Sequence, residues 1–145
     1  MGQDDAAADA EQKKPRILIA DDEPNLRLLY QSELESEGFE VLLATNGREA
    51  IAVAASEKPD LVVLDIRMPG MDGVEVLQRI LDHNRTMPVI LNSAYSSYKE
   101  NFMTWAADAY VVKSSDVTEL IAKIRDVLSK RKGERGGQAG TSAGG

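Results

Sequence analysis

The sequence predicts an α/β fold: a doubly wound sheet of five parallel strands with five helices covering its two faces. Three observations point there. Short apolar runs alternate five times with stretches of helical spacing, a pattern that requires right-handed crossovers onto a parallel sheet. The third run, LVVL at Leu61–Leu64, is apolar throughout, as a strand buried on both faces must be. At 145 residues and 43% hydrophobic, the chain can bury one real core.

Residues 1–14 are rich in Ala, Asp and Gln without apolar periodicity, and residues 133–145 are mostly Gly, Ala and Ser. Both read as disordered tails flanking a single domain at 15–132, because neither can bury enough surface to offset ordering entropy. The domain opens with RILIA, a β-branched run ended by an acidic pair. Pro24 suits a first helical turn, and Leu26, Leu29, Tyr30 and Leu34 keep helical spacing until Gly38. Residues 39–44 (FEVLLA) form the second strand and 47–58 an Ala-rich helix. After LVVL, a loop with Pro69, Gly70 and Gly73 leads into a helix carrying Val74, Leu77, Ile80 and Leu81. Residues 88–91 (PVIL) are the fourth strand, 96–106 the fourth helix and 109–112 the fifth strand. Asp116 is a good N-cap for the last helix, whose buried stripe is Val117, Leu120, Ile121, Ile124 and Leu128.

Composition narrows the function. With no cysteine there is no disulfide, thiolate site or cysteine nucleophile, and a cytoplasmic home is the simplest expectation. No apolar run approaches the roughly 18 residues that span a bilayer. A net charge of -7 argues against direct nucleic-acid binding, which depends on neutralising phosphates.

In open parallel sheets function collects at the carboxyl ends of the strands. The first strand ends at Asp21 and Asp22, the third at Asp65, the fourth at Ser93, and the fifth reaches Lys113. Three carboxylates brought together repel one another unless a cation neutralises them. Mg²⁺ suits such a set, being held by one or two carboxylates plus phosphate oxygens, and one carboxylate can attack phosphorus to give an acyl phosphate. Taken singly, each residue has a bland explanation: an N-cap, a solvated lysine, a turn serine. Four strand ends each carrying a fitting group is a far stronger signal.

DDEPNLR after the first strand, VVLDIRMPGMDG around Asp65, LNSAY at Ser93 and DAYVVKS at Lys113 together resemble the receiver domain of two-component response regulators. The resemblance implies a flavodoxin-like sheet in the order 2-1-3-4-5, with Asp65 as phosphoacceptor. It implies Mg²⁺ held by Asp22, Asp65 and the backbone carbonyl of Arg67, with Asp21 acting through water. Lys113 and Ser93 would bind phosphoryl oxygens, and Tyr110 is the aromatic switch that turns inward as the hydroxyl moves. That motion would remodel the surface of the fourth helix, fifth strand and last helix. A sensor histidine kinase or phosphotransfer protein would be the donor and another protein the target. Catalysis would be limited to phosphorylation and dephosphorylation of Asp65 itself.

This chain departs from the family at Lys113, followed by Ser114 rather than Pro. A cis bond before a non-proline residue costs roughly 2.5–4 kcal/mol, so the trans form is expected. Ala106 also stands where the family often has Gly, and His83, the one histidine, reads as a solvated residue near a helix end. No output module follows the last helix, which suits a stand-alone receiver or one cut from a longer chain. A relay without conformational output, a Mg²⁺-dependent phosphohydrolase and a flavin module are the alternatives. The phosphohydrolase lacks a capping element, and DDEPN puts negative charge where a flavin phosphate would sit.

Overall fold

The computed structural model describes residues 13–94 and 107–144. Its described elements, in chain order, are β1 (Arg16–Ala20), α1 (Pro24–Ser36), β2 (Glu40–Ala44), α2 (Gly47–Glu57), β3 (Leu61–Leu64), α3 (Gly73–His83), β4 (Val89–Ser93), β5 (Ala109–Val112) and α4 (Thr118–Gly144). All strands pair in parallel, in the order β2-β1-β3-β4-β5. The helix expected at 96–106 lies outside the described residues.

Local chemistry sets the helix ends. Pro24 opens α1, and Gly38, at φ 97°, turns the chain out of it while the Phe39 amide bonds back to the Leu34 carbonyl at 3.0 Å. Phe39 is thereby tied to that turn, so β2 begins at Glu40 and not at the expected residue 39. Asn46 caps α2 by accepting from the Glu49 amide at 2.8 Å, and Asp72 caps α3 by accepting from Val74 at 2.8 Å. The first intrahelical bond of α4 runs from the Ile121 amide to the Val117 carbonyl, so Asp116 stands one residue ahead of the N-cap position expected of it and accepts from the Thr118 amide at 2.9 Å. Together with the Thr118 side chain, this holds its carboxyl below the usual range.

Strand alternation divides the core in two. Leu18, Ala20, Val62, Leu64 and Leu91 face α2 and α3, packing with Ala50, Val76, Leu77 and Ile80. Ile17, Ile19, Leu61, Val63 and Ile90 face α1 and α4, packing with Tyr30, Leu34, Leu120 and Ile124. Each Val, Leu or Ile among them, when fully buried, contributes roughly 1.5–3 kcal/mol. In α4 the buried stripe takes in Val127, while Leu128 is only partly covered. The α4 helix also continues to Gly144, through the stretch read from composition as a tail.

One boundary differs from expectation in a way that matters. β4 runs to Ser93, so Asn92 and Ser93 belong to the strand and are buried, not part of a following turn. The Lys113 amide bonds to the Ser93 carbonyl at 2.7 Å, which carries the sheet's ladder one step further and brings the ends of β4 and β5 together. No helix among the described residues is long and apolar enough to cross a membrane.

Candidate functional site

The strand ends are held in register up to the acidic residues. The Asp21 amide donates to the Ala44 carbonyl at 3.1 Å, and the Asp65 amide to the Ala20 carbonyl at 3.0 Å. Ladder bonds thus fix the backbones of two acids from two strands side by side. Each carboxylate then folds back on its own turn. Asp21 Oδ1 accepts from the Glu23 amide at 2.9 Å, and Asp65 Oδ1 from the Arg67 amide at 2.9 Å.

Lys113 completes the cluster from the end of β5. Its ammonium lies 2.8 Å from Asp65 Oδ2, 2.9 Å from Asp21 Oδ2 and 3.1 Å from Glu23 Oε1. The Lys113 side chain is 9% exposed, against 2% for Asp21 and 4% for Asp65, so these charges meet largely out of water. Burial by itself would push the ammonium pKa down; bonds to Asp65 and Asp21 outweigh it and hold the pKa above the usual lysine value. For Asp21 burial wins. Its pKa is raised by desolvation, only partly offset by Lys113 and the Glu23 amide, and repulsion from Asp65 adds to the rise.

Lys113 and Arg67 are two cations at a cleft with four acids, Asp21, Asp22, Glu23 and Asp65, which leaves negative charge over. Asp21, Asp22 and Asp65 each place a carboxylate oxygen within 4.8 Å of the others'. Around a small hard cation with bonds of about 2.1 Å, adjacent oxygens lie roughly 3 Å apart and opposite ones about 4.2 Å, so a small inward adjustment would close the set. Asp21 Oδ2 is buried and takes no hydrogen bond among the described residues, its contact with Lys113 being an ion pair. A buried carboxylate oxygen in an ion pair with Lys113, beside two further acids, fits a divalent cation bound by oxygen. The cleft over these groups, about 270 Å³, is lined by Asp22, Glu23, Asp65, Arg67, Ala94 and Lys113.

Ser93 is fully buried and Tyr110 is 6% exposed. Leu91 pairs with Tyr110, and Ser93 with Val112. Strand alternation therefore puts Ser93 and Tyr110 on the same face of the sheet, one pair apart. All peptide bonds described are trans, including Lys113–Ser114. Even without a cis bond there, the ammonium reaches Asp65.

Three contacts were not foreseen from the sequence. Glu23 reaches Lys113. Arg27 Nη1 donates to the Asp21 carbonyl at 2.7 Å, steadying the turn after β1. Asn92 Nδ2 donates to the Tyr30 hydroxyl at 3.0 Å in the buried layer between β4 and α1. The amide at 92, inside an otherwise apolar run, was the available signal for this last bond, since a buried polar group demands a partner.

The sequence profile of the response regulator receiver domain matches residues 17–125. The chain belongs to that family of two-component signalling domains. Among solved structures it resembles the Thermotoga maritima response regulator TrrA in complex with Mg²⁺-BeF, with 46% identity, a TM-score of 0.74, and 78% of this chain and 98% of that one covered. A receiver domain from Methanospirillum hungatei superposes with a TM-score of 0.79 at 31% identity, covering 84% and 99%. Among curated relatives, the Escherichia coli regulatory protein AtoC is 41% identical over 107 residues, which span 72% of this chain and 23% of AtoC. The Mycobacterium tuberculosis transcriptional regulatory protein PrrA is 36% identical over 119 residues, 81% of this chain and 51% of PrrA. This chain thus spans about half or less of the relatives' length.

Proposed function

We propose that this receiver domain is a Mg²⁺-dependent switch that accepts a phosphoryl group on Asp65. The observation that carries the reading is Asp65 at the end of β3, nearly buried, 2.8 Å from the Lys113 ammonium and grouped with Asp21 and Asp22. Asp22, Asp65 and the Arg67 carbonyl would hold Mg²⁺, with Asp21 joined through water. When bound, Mg²⁺ supplies positive charge against the anionic phosphoryl oxygens.

An Asp65 carboxylate oxygen attacks phosphorus, the bond from phosphorus to the donor's leaving atom breaks, and an acyl phosphate forms. Lys113 transfers its ammonium from the carboxylates to a phosphoryl oxygen, so charge is matched before and after the step. Ser93 donates to another oxygen. Its hydroxyl shifts toward the cleft, and the space left behind favours the inward position of Tyr110, on the same face of the sheet. The altered surface then includes β5 and α4.

A solved complex of the histidine kinase ThkA with TrrA, the latter 46% identical to this chain, supports a sensor histidine kinase as donor; a phosphotransfer protein would serve the same chemistry. The target is a protein, and a cytoplasmic location agrees with such partners. No direct nucleic-acid contact is proposed for this acidic domain, although several relatives are named transcriptional regulators over lengths this chain does not span.

The test is NMR with beryllofluoride and Mg²⁺. A switch should show its largest amide shifts at Asp65, Ser93 and Tyr110 and onward along β5. Shifts confined to Asp21, Asp22 and Asp65 would replace the switch with a phosphorelay intermediate.

A further inference from the structure

Glu23 occupies the position just before α1, where a short side chain would ordinarily accept from the first helical amides. It makes no such bond; its carboxylate instead crosses the cleft to Lys113 Nζ at 3.1 Å, from 90 residues away in sequence. The side chain is 58% exposed, while the lysine it meets is 9% exposed. Glu23 therefore sits at the solvent side of the cleft with the buried ammonium beneath it. Asp21 and Asp65 already neutralise Lys113, so the third carboxylate adds negative charge on the solvent side of that ammonium, in a cleft that Arg67 also lines. Nothing in the pairing needs it: an exposed acid gains little from such a contact.

We propose that Glu23 is a gate on phosphoryl uptake, a carboxylate that touches Lys113 and repels anionic phosphodonors until it is displaced. This rests on Asp65 being the phosphoacceptor. The phosphoryl group needs the same Lys113 ammonium that Glu23 touches, so the Glu23 carboxylate competes with it for that cation. The incoming donor and the Glu23 carboxylate carry the same sign of charge and meet in one cleft of about 270 Å³. A domain with such a gate takes phosphoryl groups slowly from small metabolic donors and leaves Asp65 available to a protein donor able to draw Glu23 aside.

The experiment measures initial rates of phosphorylation by acetyl phosphate and by phosphoramidate, read by intact-protein mass spectrometry at saturating Mg²⁺. Unsubstituted protein, Glu23→Gln and Glu23→Asp are compared at low and high salt. Glu23→Gln should be roughly three- to tenfold faster with acetyl phosphate, the scale expected for one charge removed from a cleft of this size. The gain should be smaller with phosphoramidate, which carries less negative charge, and should shrink as salt rises. Glu23→Asp, which keeps the charge, should stay close to the unsubstituted rate. All three should melt alike, which separates gating from a change in stability. Equal or slower uptake in Glu23→Gln, or a gain unaffected by salt and donor charge, overturns the gate while leaving Asp65 as acceptor. No labelling of the unsubstituted protein overturns both.

Discussion

Gly73 offers a severe test of how the site is held. It is the first residue of α3, and a Cβ built there would lie 2.5 Å from the Ile66 carbonyl oxygen, 2.6 Å from Ile66 Cα and 2.8 Å from Ile66 Cβ. Two of these atoms are backbone, so no rotamer change relieves the contact. Restoring an ordinary separation of at least 3.4 Å requires α3 and the Ile66 peptide to part by nearly an ångström. Overpacking of this kind costs about 1–3 kcal/mol, less up to about 1 kcal/mol returned by the better helix propensity of Ala. Ile66 lies between Asp65 and Arg67, the residues proposed to hold Mg²⁺. That ion demands near-ideal octahedral geometry, so Gly73→Ala should also weaken Mg²⁺ binding about tenfold, the scale seen when groups supporting a metal site are disturbed. Gly38→Ala is the control. Gly38 has φ 97° and open space around its Cβ position, at the far edge of the sheet. It should lose about 1–2 kcal/mol through left-handed strain with no change in Mg²⁺ affinity. Urea denaturation followed by circular dichroism gives the stabilities, and Mg²⁺ titration followed by NMR gives the affinities. Unchanged stability in Gly73→Ala would refute the close approach. A loss of stability with wild-type Mg²⁺ affinity would refute its role in shaping the site.

Other outcomes follow from single contacts. Tyr30→Phe should cost about 1–3 kcal/mol, because the buried Asn92 amide loses its hydroxyl partner, and adding Asn92→Leu should recover much of it in urea denaturation. The raised Lys113 pKa means the folded state holds that proton more tightly than the unfolded chain. Its contribution is therefore complete below the ordinary lysine value of 10.5 and is lost as pH rises through the higher folded value. Lys113→Met should accordingly flatten the alkaline limb of the stability profile. Deleting residues 133–145 should leave the melting temperature nearly unchanged. Among the residues whose burial is described, the stripe of α4 is last seen at Val127 and Leu128, and glycines recur from Gly133 onward, each costing a helix about 1 kcal/mol relative to Ala.

The sheet was legible because burial on both faces leaves little freedom. LVVL is a strand in any parallel arrangement, and the order of strands followed once the chain's family resemblance was recognised. The acids and the lysine were legible for a different reason: strand ends are where a parallel sheet exposes chemistry, and Asp21, Asp65, Ser93 and Lys113 stand at four of them. What escaped was long-range pairing. Glu23 lies two residues from Asp21 and 90 from Lys113, and no periodicity links it to the latter. Tyr30 looks like one more apolar position of α1 until Asn92 supplies a reason for its hydroxyl. Strand ends were misjudged by one or two residues where polarity misled: Asn92 and Ser93 resemble a turn but complete β4. In α4, Val127 and Leu128 both suit helical spacing, and only packing against the sheet selects between them.

The most direct test of Asp65 as the phosphoacceptor is covalent. The unsubstituted protein and Asp65→Asn are incubated with Mg²⁺ and phosphoramidate, and intact-protein mass spectrometry follows the uptake. The Asp65 carboxylate beside Lys113 and its two neighbouring acids predicts addition of a single phosphoryl group to the unsubstituted protein, dependent on Mg²⁺, and none to Asp65→Asn. Equal labelling of Asp65→Asn, or labelling that persists after Mg²⁺ is chelated, would contradict it.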